Sequence, residues 1–330
     1  MRIFRWISLT LTLSAFEASA IETSFMNVGN ITNQNLGTWA IGDGTQTLSL
    51  VHCAASSNYN NGFNDPPPVR VPPAVHAPYE FKILDRAGPA GYFLYLDNDD
   101  ANTGNARIAV QFEHRDIKDT TAFETLADNV YDSHSHDGQF KKCKNGDNSE
   151  VQVTILNADL EKAKAGSYRG RFRMVGRGGS PGLVNESDNF RIDIDIAPAV
   201  RISSLDNIAF GTWSGTGGLS AEETFCVYNN TSTSAYEVTI TSPNQDGSSN
   251  FFVTDGGVKS VGYQLQFKDD VLPGGGSTVG ALAIGGVGDN NDLDCGGDNA
   301  KLTVNFLEAD LSASSSAVYT DTVTLVVSPI

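Results

Sequence analysis

The sequence predicts an all-β protein built from two immunoglobulin-like β-sandwiches in tandem. Three observations lead to this prediction. Short apolar runs are separated by turns rich in Gly, Asn and Asp, side chains alternate with a period of two, and one set of motifs occurs twice. The chain has 330 residues, which is long enough for two domains that each bury a core of their own.

The repeat opens with Gly-Thr-Trp, which stands at 37–39 and again at 211–213. A later stretch of each copy shares Gly-Asp-Asn, Leu-x-Ala-Asp-Leu and a tyrosine, which is Tyr168 in one copy and Tyr319 in the other. Between them, YEFKI from Tyr79 matches YEVTI from Tyr236, and VQF at 110–112 matches LQF at 265–267. We interpret the chain as two tandem copies of one fold.

Each copy holds two cysteines at equivalent positions. An exported chain with four cysteines is expected to form two disulfides, and the repeat predicts that they are Cys53–Cys143 and Cys226–Cys295.

Alternation predicts the strands. In the first copy, one side of a strand carries Val151, Val153 and Ile155, and the other side carries Gln152 and Thr154. This alternation is typical of an antiparallel sheet with one buried and one solvent-exposed face. Helical spacing is confined to 158–166, one or two turns at most. The first copy is expected to form strands at 36–41, 45–53, 78–84, 92–97, 107–113, 150–157, 167–175 and 188–196.

Residues 1–20 have the layout of a secretory signal peptide, with Arg2 and Arg5, an apolar middle and a small-residue cleavage site at 18–20. We expect cleavage there, an N-terminal domain at 21–199 and a C-terminal domain at 200–330. Removal of the signal changes the net charge only from −17 to −18, because it takes away two basic residues and Glu17. So acidic a chain is not expected to bind nucleic acid.

The copies differ at their ends. In the first copy, Phe190, Ile192, Ile194 and Ile196 form an amphipathic closing strand, whereas the second copy reaches Val326 and has no residues for such a strand. We therefore expect the second sandwich to lack its last strand and to expose an edge and a core groove, which another chain's strand fills. The expected edge residues are Tyr319, Val323, Leu325 and Val327.

The second copy resembles the spore coat protein U domain, from which subunits of archaic, Csu-type chaperone–usher pili are built. The resemblance rests on FGTWSGTGGLSAEETFCV from Phe210, CGGDNAKLTV from Cys295 and YTDTVTLVVSP from Tyr319. It implies a periplasmic chaperone, an outer-membrane usher and the N-terminal donor strand of an adjacent subunit as partners. Only 21–25 precede the first copy, so no donor segment is expected. A subunit that accepts a strand and donates none belongs at the pilus tip on the cell surface.

The first domain is then expected to adhere. Three loops, after Cys53, before 150–157 and at 176–187, should lie at the pole opposite the linker and attach to abiotic or host surfaces through apolar side chains. The candidates are Tyr59, Phe63, Val69, Val71, Val75, Phe123, Leu126, Val130, Tyr131, Leu183 and Val184. Folding of these side chains onto the sandwich as a local core is the structural alternative. A lectin-like tip that grips a glycan, and a purely structural pilus or coat subunit, are the functional alternatives.

The sequence offers little enzyme chemistry. There is no nucleophile elbow, HExxH or phosphate-binding loop, and the cysteines are assigned to disulfides. His134 and His136 are interpreted as part of a solvated loop because no third ligand is placed by the sequence. We expect no catalytic residues, metal or cofactor.

Overall fold

The computed structural model describes residues 21–29, 31–61, 75–76, 78–86, 90–96, 106–117, 122–132, 136–137, 146–178, 184–246, 250–257, 259–269, 277–278 and 284–330. Only the backbone is described for 21–27, 57–61, 75–76, 136–137, 184–185, 277–278 and 284. The expected signal peptide at 1–20 lies outside these residues. The fold is nearly all β, as predicted. No helix in the described part is long and apolar enough to cross a membrane.

The described elements between Ile21 and Ile196 form the N-terminal sandwich. Its elements are β1 (Ile21–Gly29), β2 (Gln34–Trp39), β3 (Gln46–Asn61), β4 (Val75–His76), β5 (Pro78–Asp85), β6 (Phe93–Leu96), β7 (Arg107–Ala109), β8 (Gln111–Asp116), β9 (Glu124–Thr125), β10 (His136–Asp137), β11 (Ser149–Ile155), α1 (Asn157–Leu160), β12 (Gly166–Gly178) and β13 (Val184–Ile196). One sheet has the order β1-β3-β11-β8-β9, and the other has the order β10-β5-β12-β13-β2.

The described elements between Val200 and Pro329 form the C-terminal sandwich. Its elements are β14 (Val200–Ser203), β15 (Leu219–Asn229), β16 (Ala235–Thr241), β17 (Phe251–Thr254), β18 (Ser260–Asp269), β19 (Ser277–Thr278), β20 (Ile284–Val287), β21 (Ala300–Phe306), α2 (Glu308–Ser312) and β22 (Thr324–Pro329). One sheet has the order β14-β15-β21-β18-β17, and the smaller one has the order β20-β16-β22.

Two separate hydrophobic cores follow from the alternation of side chains. The first is formed by residues between Val28 and Ile196, and it contains an edge-to-face cluster in which the rings of Phe112 and Phe172 lie 4.9 Å apart. The second is formed by residues between Val200 and Val327. Such aromatic pairs add to the stability that burial of their area supplies.

Several expectations about local structure were wrong. β3 does not end at Cys53 but continues to Asn61, because β1 pairs with it along its whole second half. Residues 21–25, expected to precede the first domain, are therefore part of its sheet. Tyr59 and Val75 lie on strands β3 and β4 and not in a loop, and Val184 begins β13.

The repeated Gly-Asp-Asn motif has the same structural role in both copies. The side-chain amide of Asn148 accepts a hydrogen bond from the N–H of Ala54 at 2.9 Å and donates one to its carbonyl at 3.1 Å. Asn299 makes the same two bonds with Val227, at 2.8 and 2.9 Å. Each Asn thereby satisfies the backbone of the residue that follows a disulfide cysteine.

The repeated tyrosine also has one role. The hydroxyl of Tyr168 donates to the carbonyl of Lys164 at 3.0 Å, and that of Tyr319 donates to the carbonyl of Ser315 at 3.1 Å, which is the geometry of a tyrosine corner.

The matched VQF and LQF segments, unlike the repeated tyrosine, are two residues out of register between the copies. Asp116 pairs with Ser149, and Asp269 pairs with Ala300, the residue equivalent to Ser149. A shift of two keeps the same side chains inward, so alternation alone did not reveal it.

Hydrogen bonds join the two sandwiches. The hydroxyl of Tyr228 donates to the carbonyl of Glu161 at 2.9 Å, and the N–H of Ala165 donates to the carbonyl of Asn230 at 2.9 Å. The side chain of Asn230 also binds the linker, since it accepts from the N–H of Ala199 at 2.8 Å and donates to Ala197 at 3.1 Å. Asn230 therefore connects the linker, the first sandwich and the second.

Candidate functional site

The C-terminal sandwich has an open edge at β22. This strand pairs with β16 on one side, and no strand among the described residues pairs with its other side. The inward side chains of Leu325 and Val327 in this strand, and of Val323 just before it, pack on the second core but are only partly buried. The side chain of Tyr319 is likewise partly buried against the second core. All four residues predicted for the edge are thus partly buried against the second core, and their role in binding a strand stays a prediction.

The N-terminal sandwich shows what this edge looks like when it is covered. β12, which corresponds to β22, pairs with β5 and β6 on one side and with β13 on the other, and β13 pairs in turn with β2 in parallel. The inward side chains of β12, such as Phe172 and Met174, are fully buried. Residues 204–218, which contain the counterpart of β2, include no strand.

The width of the open region can be inferred from this comparison. Strands in a sheet lie about 4.8 Å apart, so β2 and β12 are separated by about two spacings with β13 between them. The second copy keeps the two outer elements, 208–213 and β22, and has no described strand between them. Ile208, Phe210 and Leu219 also pack only partly on the core. We call the region lined by 208–213 and β22 the edge groove.

β22 is held in place although one side of it is unpaired. The carboxylate of Asp321, just before the strand, accepts hydrogen bonds from the hydroxyls of Tyr263 and Ser242 and from the amide of Asn244. At the other end, the N–H of Ile330 donates to the carbonyl of Ala235 at 3.1 Å. An edge fixed at both ends is preorganised, so little ordering entropy is lost when a strand adds to it.

The predicted adhesive side chains are not all available for contact. Leu126 is 4% exposed and belongs to the first core, so its assignment as a surface residue was wrong: the chain turns it inward behind β8. Phe123 is half-buried with the guanidinium of Arg115 4.5 Å above its ring. Val130 is 56% exposed. The side chains of Tyr59, Phe63, Val69, Val71, Val75, Leu183 and Val184 lie outside the described residues.

Tyr131 is covered by two cations. The guanidinium of Arg177 lies 3.9 Å and the ammonium of Lys82 4.6 Å from the centre of its ring. Arg177 is in turn paired with Glu80. Burial is the main reason that the pKa of the Tyr131 hydroxyl is raised above its usual value. Tyr131 is therefore a ring stacked against two cations, unlike the plain apolar side chain that its sequence position suggested.

The sequence did not single out a buried polar cluster in the first core. The Nδ1 of His114 lies 2.9 Å from a carboxylate oxygen of Asp132, and its Nε2 lies 2.7 Å from the hydroxyl of Ser149. These are the contacts of a Ser-His-Asp triad, but His114 and Ser149 are 0% exposed and Asp132 is 7% exposed. A nucleophile sealed in a core has no route to a substrate, so the cluster is a structural network.

His52 lies beside this network. The ring of Phe81 packs against both imidazoles, 5.4 Å from that of His52 and 4.6 Å from that of His114. The Nε2 of His52 is buried and has no hydrogen-bond partner among the described residues. Burial, and secondarily the neighbouring His114, lower the pKa of His52 to about 3, so the ring is neutral at ordinary pH. A comparison of the two copies could have singled out His52 from the sequence, because the second copy has Phe225 at the equivalent position.

One of the two predicted disulfides is described. Cys226 and Cys295 are joined, with their Cα atoms 5.7 Å apart. Cys53 is also disulfide-bonded. Cys143 lies outside the described residues, so the Cys53–Cys143 pairing stays a prediction.

No protein-family model matches the chain. No curated protein matches it either. Among solved structures, the chain is similar to the CsuC–CsuE chaperone–tip adhesion subunit complex of Acinetobacter baumannii, with a TM-score of 0.45, 10% identity, and 91% of this chain and 99% of the other covered.

Two further structures are similar to the chain. CfaE, the adhesive subunit of CFA/I fimbria of enterotoxigenic Escherichia coli, gives a TM-score of 0.38 at 10% identity, with 92% of this chain and 94% of the other covered. The CupB6 tip adhesin of Pseudomonas aeruginosa gives 0.32 at 11% identity, with 93% of each covered. At these identities and TM-scores the similarity carries no argument about what this chain does.

Proposed function

We propose that this protein is the tip subunit of a chaperone–usher pilus, and that its edge groove accepts a strand from another chain. The observation that carries the proposal is the partly buried row of Val323, Leu325 and Val327 on an unpaired strand edge, in a chain whose other copy covers the same row with β13. Exposed strand edges promote association with further strands.

The incoming strand would resemble β13. It would alternate apolar and polar residues as Phe190, Ile192, Ile194 and Ile196 do with Arg191, Asp193 and Asp195. It would pair antiparallel with β22, as β13 pairs with β12, and it would lie parallel to 208–213, as β13 lies parallel to β2. Before assembly, a periplasmic chaperone would cover this groove, and an outer-membrane usher would then exchange the chaperone for the N-terminal strand of the next subunit.

A peptide with the sequence of residues 189–197, NFRIDIDIA, tests groove filling directly. The mature chain should gain thermal stability as the peptide concentration rises, since a ligand that binds only the folded state stabilises it by mass action. The control peptide carries the same residues in an order without alternation. Equal melting temperatures with both peptides would contradict the proposed strand exchange.

The N-terminal sandwich would then supply adhesion, through apolar contact with an abiotic or host surface. Of the predicted contact residues with described side chains, Val130 is the most exposed. The test is the attachment of piliated cells to plastic after Phe63, Val71 and Val130 are replaced by Ser, with Val318→Ser as the matched control, because Val318 is 84% exposed on the other sandwich.

The triple variant should attach far less, since burial of each such side chain is worth about 1.5–3 kcal/mol and many tips act together. Normal attachment by the triple variant, with pili visible by microscopy, would contradict apolar adhesion. Loss of attachment on addition of a soluble glycan would instead favour a lectin-like tip, and adhesion without the first domain would favour a structural subunit.

A further inference from the structure

Each sandwich has a pole at which a short helix leads into the tyrosine corner. We call these segments the α1 pole (156–165) and the α2 pole (307–316), and they align without gaps. Their backbone hydrogen bonds are the same. In each, the N–H of a buried leucine, Leu160 or Leu311, donates at 3.1 Å to the carbonyl four residues earlier, and the N–H three residues later donates to that leucine at 3.1 Å. The two poles therefore present their backbone in the same way.

The second sandwich docks on the α1 pole through two backbone groups of that pole. The carbonyl of Glu161 accepts from the hydroxyl of Tyr228 at 2.9 Å, and the N–H of Ala165 donates to the carbonyl of Asn230 at 2.9 Å. Tyr228 and Asn230 are each 1% exposed, so these contacts lie inside the joint between the sandwiches.

The α2 pole presents the same two backbone groups without a cover. The residues equivalent to Glu161 and Ala165 are Ser312 and Ser316. Both serines are exposed, whereas Glu161 and Ala165 are half-buried. Among the described residues, no group bonds to the carbonyl of Ser312 or to the N–H of Ser316.

The linker makes a third contact that has a counterpart in the second copy. The N–H of Ala197, directly after β13, donates to the carbonyl of Trp39 at 2.9 Å. The equivalent carbonyl, that of Trp213, accepts no hydrogen bond from the described part of the chain. β13 thus closes the first sandwich, bonds to the Trp39 segment and continues after only 197–199 into the first strand of the second sandwich. β13 and the second sandwich together have the layout of a subunit that donates its first strand to the sandwich before it.

The direction of β13 explains why its strand and the docked body occur together. Ile196, the last residue of β13, pairs with Gly166, which directly follows the α1 pole. Three linker residues extend over about 11 Å at most, so a body that follows this strand lies against the pole. A strand that enters the edge groove in the orientation of β13 ends beside the α2 pole in the same way.

We propose that the α2 pole is the docking surface for the body of the next pilus subunit, which lies on it as the second sandwich lies on the α1 pole. This inference rests on the proposed function, because the donor strand in the edge groove brings that body to the pole. It goes beyond strand exchange, because it assigns a second contact between the two subunits that fixes their relative orientation.

The geometry of the joint defines the chemistry of this partner. It is a β-sandwich in which a tyrosine at the end of a strand donates its hydroxyl to the carbonyl of Ser312. An asparagine two residues later accepts from the N–H of Ser316 through its carbonyl and holds its own linker through its side chain. That linker is about as short as 197–199, and its first N–H donates to the carbonyl of Trp213.

The test extends the full chain, produced from Ile21 onward, by a probe for the next subunit. Residues 179–330 are appended after Pro329, because Pro329 is equivalent to Gly178, the last residue of β12. The appended segment supplies a closing strand, the linker and a second copy of the C-terminal sandwich, which we call the appended body. The appended body carries the exposed substitution Ala309→Ser, so that mass spectrometry distinguishes its α2 pole from the inner one.

Hydrogen exchange gives separate readouts for docking and for groove filling. The amide of the inner Ser316 reports docking, and the amides of β22 that do not bond to β16 report the strand in the groove. Both should exchange at least about tenfold more slowly in the extended chain than in the unextended one, because a bonded amide exchanges only when its bond opens. The Ser316 amide of the appended body should stay fast, since nothing follows it to cover that pole.

The test variant carries Tyr228→Phe and Asn230→Ala in the appended body. The inner Ser316 amide should then exchange within about threefold of its rate in the unextended chain, while β22 stays protected. The matched control is Ser232→Ala in the appended body, an exposed position in the same segment, which should change the rate less than about twofold. Protected amides in the appended β21 show that a variant body is folded. Should the double variant unfold, Tyr228→Phe alone decides, and it should speed exchange by about threefold.

The outcomes separate this inference from the proposed function. Slow exchange in β22 with fast exchange at the inner Ser316 would overturn docking and leave strand exchange intact. Fast exchange at both would contradict strand exchange itself. An equal effect of the test variant and the Ser232→Ala control would refute the assigned tyrosine and asparagine contacts. Protection of Ser316 in the unextended chain that rises with protein concentration would show that a second copy of this chain covers the pole instead.

Discussion

Trp39 and Trp213 make the same hydrogen bond in different surroundings. Each indole N–H donates to the carbonyl of a glycine shortly downstream, Gly44 at 2.9 Å and Gly217 at 2.8 Å. Trp39 is 2% exposed, and it pairs with Ile196 of β13. Trp213 is only partly buried, and no described strand lies beside it. The repeated Gly-Thr-Trp motif therefore lies beside a paired strand in the first copy and beside no described strand in the second.

We expect the fluorescence of Trp213 to report filling of the edge groove. In a chain produced from Ile21 onward, which omits Trp6, the Trp39→Phe variant leaves Trp213 as the remaining tryptophan. Addition of the 189–197 peptide should shift its emission to shorter wavelength, because the incoming strand covers the indole as β13 covers Trp39. The Trp213→Phe variant is the control, and its remaining Trp39 signal should not move. An unchanged Trp213 spectrum at saturating peptide would argue against strand addition at this edge.

The two asparagine side chains that bind the backbone should each be important for stability. Replacement of Asn148 by Ala removes the side-chain partner of the buried N–H and carbonyl of Ala54. Replacement of Asn299 by Ala removes the partner of the Val227 N–H, while the Val227 carbonyl still accepts from the N–H of Asp289 at 2.9 Å. Each change should lower the free energy of unfolding by about 1–3 kcal/mol. Urea unfolding monitored by circular dichroism measures the change. Asp147→Ala is the matched control, because Asp147 is the exposed neighbour of Asn148, and it should cost less than about 0.5 kcal/mol. Equal effects of Asn148→Ala and Asp147→Ala would refute a specific role for the amide.

Loss of the Cys226–Cys295 bridge should destabilise the second sandwich selectively. The bridge links residues 69 positions apart, and removal of a native disulfide costs about 2–5 kcal/mol. A variant with both cysteines changed to Ala should unfold at lower urea concentration. Peptide mapping of the oxidised wild-type chain should recover Cys53 joined to Cys143, and a bridge between the two copies would contradict the proposed domain boundary.

His52 should make the first sandwich sensitive to acid. Its pKa is about 3 in the folded chain against about 6.5 for an unperturbed histidine, so between these values the unfolded state binds more protons. The contribution is fully present above pH 6.5, and stability falls by up to about 1.4 kcal/mol per pH unit as the pH decreases toward 3.

The His52→Phe variant tests this acid sensitivity, since Phe225 occupies the equivalent position in the second copy. Urea unfolding of both proteins at several pH values between 8 and 4 should show a shallower acid slope in the variant. Parallel pH profiles of wild type and His52→Phe would show that the acid sensitivity arises from other groups. The second sandwich provides an internal reference, because all five histidines of the chain lie in the first copy.

The sequence by itself determined the β class, the two copies and most strand positions. Alternation identifies the buried face of a strand without knowledge of the strand that pairs with it, so it can be recognised in a single sequence. The buried residues Val151, Val153 and Ile155 are an example. The repeat predicted the Cys226–Cys295 bridge, because a bridge inherited with the fold joins equivalent positions in each copy. It also pointed to β22, whose inward residues Leu325 and Val327 are partly buried against the second core.

Only the tertiary structure decided which side chains meet across strands. The opposition of Arg171 and Arg191 depends on the register of β12 and β13, and the contacts of His114 with Asp132 and Ser149 join residues from distant parts of the chain. A shift of two residues preserves the alternation, so the sequence is consistent with several registers while the packed sheet selects one. Burial of Leu126 was likewise decided by packing, because an apolar residue in a polar segment contacts either solvent or the core according to how its loop turns.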